Sequence, residues 1–150
     1  MIRSEKRLRT AKILLVLNLA FIWGNYLLPG ELSGAFSDWV KNLILSLLPA
    51  QSGVGVGGGL FRKLAHFTEF ALLGIVLFRL IRNREDKTPV AWLLSLGCGF
   101  FVACVDELLQ HFSPGRAPRF GDVCIDTAGV LTGTLLYLAA HFICKSKTIK

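Results

Sequence analysis

Charged side chains are scarce in this chain: Asp, Glu, Lys and Arg make up 18% of its 150 residues, where a soluble domain carries about a quarter. That scarcity excludes a disordered segment, a nucleic-acid tail and an ordinary soluble enzyme. Paired-cysteine motifs are missing too. Cys98, Cys104, Cys124 and Cys144 form no C-x-x-C pair and all lie in apolar runs. Small apolar filler is therefore expected of them, not a disulfide or zinc role. The first apolar run has no small-residue cleavage site behind it, so it reads as a retained anchor and not a secretory signal. The stretch 53–59, GVGVGGG, formally contains G-x-G-x-x-G. That motif needs a strand and a βαβ unit, which this chain does not offer, so a hinge is expected there and no nucleotide cofactor.

What is present is hydrophobic. Apolar residues make up 53% of the chain and the mean hydropathy is +0.54. The expectation is an all-α, polytopic helical membrane bundle, a single domain over residues 1–150. Four stretches approach the roughly 20 apolar residues a crossing needs, near 11–28, 61–81, 90–111 and 122–144. Pro29-Gly30 closes the first and Pro89 opens the third. Trp23 and Tyr26 fit an interfacial aromatic belt. Between the first two stretches, Phe36, Trp39, Val40, Leu43, Ile44, Leu47 and Leu48 recur at three- and four-residue steps. Segment 35–49 thus reads as a short amphipathic helix, either interfacial or re-entrant, or packed on the bundle.

The cations orient the spans. Arg3, Lys6, Arg7, Arg9 and Lys12 precede the first, Arg79, Arg82, Arg84 and Lys87 join the second to the third, and Lys145, Lys147 and Lys150 follow the fourth. With four spans these twelve of the 17 basic residues share one side. Cytoplasmic loops carry the Lys/Arg excess, so both termini are expected inside. Lys41, Arg62, Lys63, Arg116 and Arg119 then fall on the outer side.

Ionisable groups within spans are costly and mark candidate sites. His66 and Glu69 are three apart on the second span, and so share a helix face. On the third, Asp106, Glu107 and Gln110 stand near its end; the two adjacent acids are expected to diverge, one to the bundle and one to a helix end or headgroups. On the fourth, Asp122, Asp126, Gly129 and Gly133 form one stripe, polar above and small below, with Gly129-x-x-x-Gly133 suited to close helix approach. Alternating directions bring all three sets to the outer end. The connection Ser113–Gly121 adds Arg116 and Arg119, with Arg116 suited to a carboxylate or phosphate, or to an internal pair with Glu107 or Asp122.

These residues resemble the VanZ-like family of small bacterial membrane proteins. The resemblance rests on His66-Phe67-x-Glu69-Phe70 with Leu73-Gly74 behind it, on Asp106-Glu107-x-x-Gln110 followed by Pro114-Gly115-Arg116, and on Asp122, Gly129 and Gly133. It spans roughly Lys63 to Gly133, about half of the chain. One departure is Asp126, where the family pattern usually has Asn. The resemblance implies a helical fold in a bacterial cytoplasmic membrane. The family's namesake is associated with low-level teicoplanin resistance, which assigns no chemistry to this chain.

Three functions remain open on the sequence. In the first, the outer pocket binds a lipid headgroup, a lipid-linked cell-wall precursor or an amphiphilic glycopeptide. Arg62, Lys63, Arg116 and Arg119 would hold its phosphate or carboxylate, and Asp106, Asp126 and Gln110 its donors. In the second, a membrane enzyme acts on a lipid-linked phosphate or ester. His66 oriented by Glu69 would serve as acid or base, with Glu107 and Asp122 as a second pair. A metal variant of this reading draws ligands from His66, Glu69, Asp106, Glu107, His111, Asp122 and Asp126. With no H-E-x-x-H and no cysteine ligand set, no metal is expected. In the third, the polar groups lock the helices together and function lies in partner binding. Nucleic acid is not an expected partner, and self-association of the chain stays open.

Overall fold

A computed structural model describes residues 2–24, 39, 42, 58–84, 87–112 and 119–148. Among these residues there are four long α-helices and no strand: α1 (Ile2–Gly24), α2 (Gly58–Arg82), α3 (Thr88–His111) and α4 (Phe120–Thr148). Three are long and apolar enough to cross a membrane, over Leu60–Arg82, Thr88–His111 and Phe120–Ile143. At 1.5 Å per residue, each exceeds the roughly 30 Å hydrocarbon thickness. Helix α1 begins among the basic residues, well before position 11, and residues 25–28 of the expected first span lie outside the described residues. Of segment 35–49, Trp39 and Asn42 are described, and both are helical. Of the hinge expected at 53–59, residues 58 and 59 are helical and belong to α2, and 53–57 lie outside the described residues, as do 113–118 with Arg116.

Local chemistry sets the visible ends. Lys87 precedes α3 in extended backbone (φ −80°, ψ 106°), and Pro89 occupies its first turn. There a proline costs no helical hydrogen bond, and its fixed φ suits the first turn. Phe112 closes α3, its N–H bonding Leu109 at 3.1 Å.

The packing inverts the soluble pattern. Leu64, Leu72, Leu93, Leu94, Phe100, Phe101, Leu135, Leu136, Phe142 and Ile143 face outward, while Ser95, Asp106, Glu107, Gln110, Asp126 and Thr134 are buried. Such a surface suits lipid, because the outward residues need no water. Cys98, Cys104 and Cys124 are free and exposed, so they do not fill the core as expected. Trp23 is partly buried and packs against the core cluster of Ile22, Phe70, Leu73, Leu77, Ala103, Val123 and Val130.

Glycine brings α2 and α4, the most extensive helix pair, together. A Cβ on Gly133 would fall on the carbonyl oxygen of Ala71, and one on Gly129 would lie 2.5 Å from that of Phe67. From the other helix, a Cβ on Gly74 would strike the backbone of Val130. Dispersion between near-touching backbones then holds the pair where lipid supplies no hydrophobic drive. Gly99 of α3 receives the Val130 side chain, and a Cβ there would lie 2.6 Å from both its methyl groups. Val130 thus links three helices.

Candidate functional site

The start of α2, the end of α3 and the start of α4 meet at one end of the bundle. His66, Asp106 and Asp126 lie about 12, 8 and 9 Å along their helices from that end, at 1.5 Å per residue. His66 Nδ1 stands 3.7 Å from Asp126 Oδ1 and 3.8 Å from Asp106 Oδ2. Both carboxyl groups are fully buried, whereas the histidine side chain keeps 18% of its surface.

A short chain of hydrogen bonds leads outward from this core. Gln110 Nε2 donates to Asp106 Oδ2 at 3.2 Å, and Arg62 Nη2 donates to Gln110 Oε1 at 2.8 Å. Arg62 is exposed, so the chain links a surface cation to an acid that water does not reach. The four-residue step from Asp106 to Gln110 makes the inner link possible by placing both on one face of α3.

Glu107, one position on, is buried but turned to a different neighbour. Its Oε2 accepts the backbone N–H of Arg119 at 2.7 Å, immediately before α4. A helix N-terminus leaves its first N–H groups without helical partners, and a carboxylate there is favoured by hydrogen bonding and by the helix dipole. Asp106 and Glu107 therefore diverge as adjacent helical positions must, Asp106 toward the bundle and Glu107 toward the start of α4.

Other expected site residues take outer or separate places. Lys63 and Arg119 are exposed and Asp122 is half-buried, its N–H bonding Arg119 O at 2.9 Å. Glu69 is half-buried, and its backbone carbonyl accepts Asn18 Nδ2 at 3.5 Å. The carboxylates brought to His66 Nδ1 are Asp106 and Asp126, from other helices, where the sequence pattern pointed to Glu69. Gly129 and Gly133 continue the Asp126 face into the α2 contact.

Buried hydroxyls are treated differently from buried acids. Ser95 Oγ donates to Ala91 O at 2.7 Å and Thr134 Oγ1 to Leu131 O at 2.8 Å, each within its own helix. Neither oxygen of Asp126 has a hydrogen-bond partner. A carboxyl group so placed is costly unless something of opposite charge faces it.

The opposite end is cationic and open. A cavity of about 430 Å³ lies between α1, α2 and α4, bordered by Leu8, Arg79, Arg82 and Tyr137. A second, of about 310 Å³, shares Arg82 and Tyr137 and extends to His141. The Tyr137 and His141 rings stack, 6.5 Å apart and inclined by 5°, and Tyr137 also meets Phe78 at 5.5 Å. The sequence reading did not single these out. The four-residue Tyr137–His141 step beside the Arg79/Arg82 pair was the available signal.

Helices with lipid-facing apolar surfaces around a buried polar cluster define a helical integral membrane protein with an intramembrane polar site. A sequence profile of the VanZ/LLP1 family matches residues 6–143, nearly the whole chain, and the protein belongs to that family. No curated protein and no solved structure matches it.

Proposed function

We propose that this protein is a multi-pass component of a bacterial cytoplasmic membrane whose polar end faces outward and binds the anionic, sugar- or peptide-bearing headgroup of an amphiphile. A lipid, a lipid-linked cell-wall precursor and an amphiphilic glycopeptide share that chemistry. Four crossings, with both termini inside and segment 35–49 at the outer interface, complete the reading. The cation bias supports the orientation: Arg79 and Arg82 in the last turn of α2, with Arg84 and Lys87 in the connection to α3, lie at the end away from His66.

The observation that carries the proposal is the Arg62–Gln110–Asp106 chain. It puts an exposed guanidinium at the mouth of a buried acidic cluster. A guanidinium offers a planar fork to phosphate or carboxylate, while Lys63 and Arg119 add exposed cations nearby. The acids behind them suit the hydroxyl and amide donors of a sugar or peptide. Lipid extracted from purified protein tests this. An Arg62→Ala, Arg116→Ala double variant is expected to lose at least about tenfold of the anionic lipid retained by the wild type, as the loss of a charge-assisted phosphate contact implies. Equal retention would overturn the reading.

A second reading, acid–base catalysis on a lipid-linked phosphate or ester, is favoured by one observation, the two buried carboxylates within 4 Å of the His66 ring. Turnover of a labelled polyprenyl phosphate that vanishes in His66→Ala would support it. No product dependent on His66 would remove it.

A further inference from the structure

We propose that His66, Asp106 and Asp126 hold a divalent transition-metal cation of the Zn²⁺ class between α2, α3 and α4. The sequence offered seven scattered ligand residues and no metal motif, and so no metal was expected. The fold selects three of them. One ligand atom from each lies within 4.8 Å of the other two, the one such trio of His, Cys, Asp or Glu among the described residues.

Three features point to a cation and not to a general acidic patch. The first is Asp126, fully buried, with neither carboxylate oxygen hydrogen-bonded and with Oδ1 turned toward the imidazole. The second is charge balance. Two carboxylates and a neutral imidazole exactly offset a divalent ion, giving a neutral unit at a depth where an uncompensated charge is costly. The third is the second shell. Gln110 fixes Asp106 Oδ2 and is itself fixed by Arg62, the outer hydrogen bonding that orients ligating carboxylates.

The geometry and donor types narrow the ion. Zinc–nitrogen and zinc–oxygen bonds of about 2.0–2.2 Å put tetrahedral ligands about 3.3 Å apart. The Nδ1–oxygen separations of 3.7 and 3.8 Å would close by about 0.4–0.5 Å to reach that shell, and the two carboxylates, whose ligand oxygens lie within 4.8 Å of each other, would draw together with them. One imidazole nitrogen with two carboxylate oxygens suits Zn²⁺ first and Mn²⁺ next, and suits Mg²⁺ poorly, since Mg²⁺ favours an all-oxygen shell. Three protein ligands leave a fourth position for water or a ligand oxygen, the open arrangement that distinguishes reactive sites from closed structural ones.

The test is metal retention in micelles containing no added lipid, so its outcome is separate from headgroup binding. Full-length protein with Cys98, Cys104, Cys124 and Cys144 replaced by Ala is stripped with chelator, exposed to excess Zn²⁺ or Mn²⁺, desalted and measured by elemental analysis. About one Zn²⁺ per chain is expected, with thermal stability raised by the ion. Asp106→Asn with Asp126→Asn is expected to lose at least about tenfold in retained Zn²⁺ and the stability gain, while Glu107→Gln keeps both. No stoichiometric ion on the parent protein overturns the proposal, whatever the variants do. Equal retention by the double variant and its parent overturns it as well.

Discussion

The two ends of the bundle carry charge in opposite ways. At the His66 end the acids Asp106, Glu107 and Asp126 are buried, and a chain of side chains runs from Asp106 through Gln110 out to Arg62. At the Arg79 end the cations Arg79 and Arg82 border cavities, and aromatic rings fill part of the space between helices. A charge at a cavity rim keeps its water and tolerates small shifts of geometry. A charge without water depends on a few fixed partners, and each substitution there removes a large share of its compensation. The cost of substitution should therefore fall steeply from the first end to the second.

The largest effect is expected where the acidic face continues into the glycine contact. Gly133→Leu drives a side chain into the Ala71 backbone and should cost about 3 kcal/mol, the upper end of overpacking penalties. Loss of the monodisperse peak in detergent size exclusion would report it. Gly97→Ala is the matched control: an added Cβ meets nothing there, and the peak should be unchanged. Equal behaviour of the two would break the comparison.

Next in size is Gln110→Leu, which cuts the link between Arg62 and Asp106 and leaves the buried acid short of a donor. The expected cost is about 2 kcal/mol, read as a lowered unfolding midpoint in micelles. At the cationic end, Tyr137→Leu keeps bulk but removes the ring contacts with Phe78 and His141, for about 1 kcal/mol. Smallest is Asn83→Ala on that exposed rim, expected within about 0.5 kcal/mol of wild type. A reversal of order between Gln110→Leu and Tyr137→Leu would show that the cationic end, not the acidic one, is the constrained region.

The helices were legible because apolar runs of span length have few alternatives. Their starts moved outward by three, two and two residues at α2, α3 and α4, through Gly58-Gly59-Leu60, Thr88-Pro89 and Phe120-Gly121, where glycine and proline are poor helix formers and hide the first turn from a reading of apolar runs. The end-to-end meeting of His66, Asp106 and Asp126 was legible as well, since alternating helix directions dictate it. Its contacts across helices were not. A three-residue step pointed to Glu69 on the face of His66, while the approach of Asp106 and Asp126 to Nδ1 comes from neighbouring helices, which no pattern within one helix encodes. Gly129 and Gly133 were readable as packing positions; Gly74, Gly99 and Val130 as the pieces that receive or answer them were not, because an interhelix register leaves no mark on either sequence alone. The exposed cysteines were misjudged for a related reason: an apolar run does not reveal which of its faces is turned to lipid.

The most direct test of the account asks whether its two ends occupy opposite membrane faces. Phe112→Cys and Arg84→Cys, both at exposed positions, are each placed in a chain lacking its native cysteines and treated in intact cells with a membrane-impermeant maleimide. The account predicts that position 112 reacts from outside and position 84 reacts only after the cells are permeabilised. Labelling of both from outside, or of position 84 alone, would contradict it.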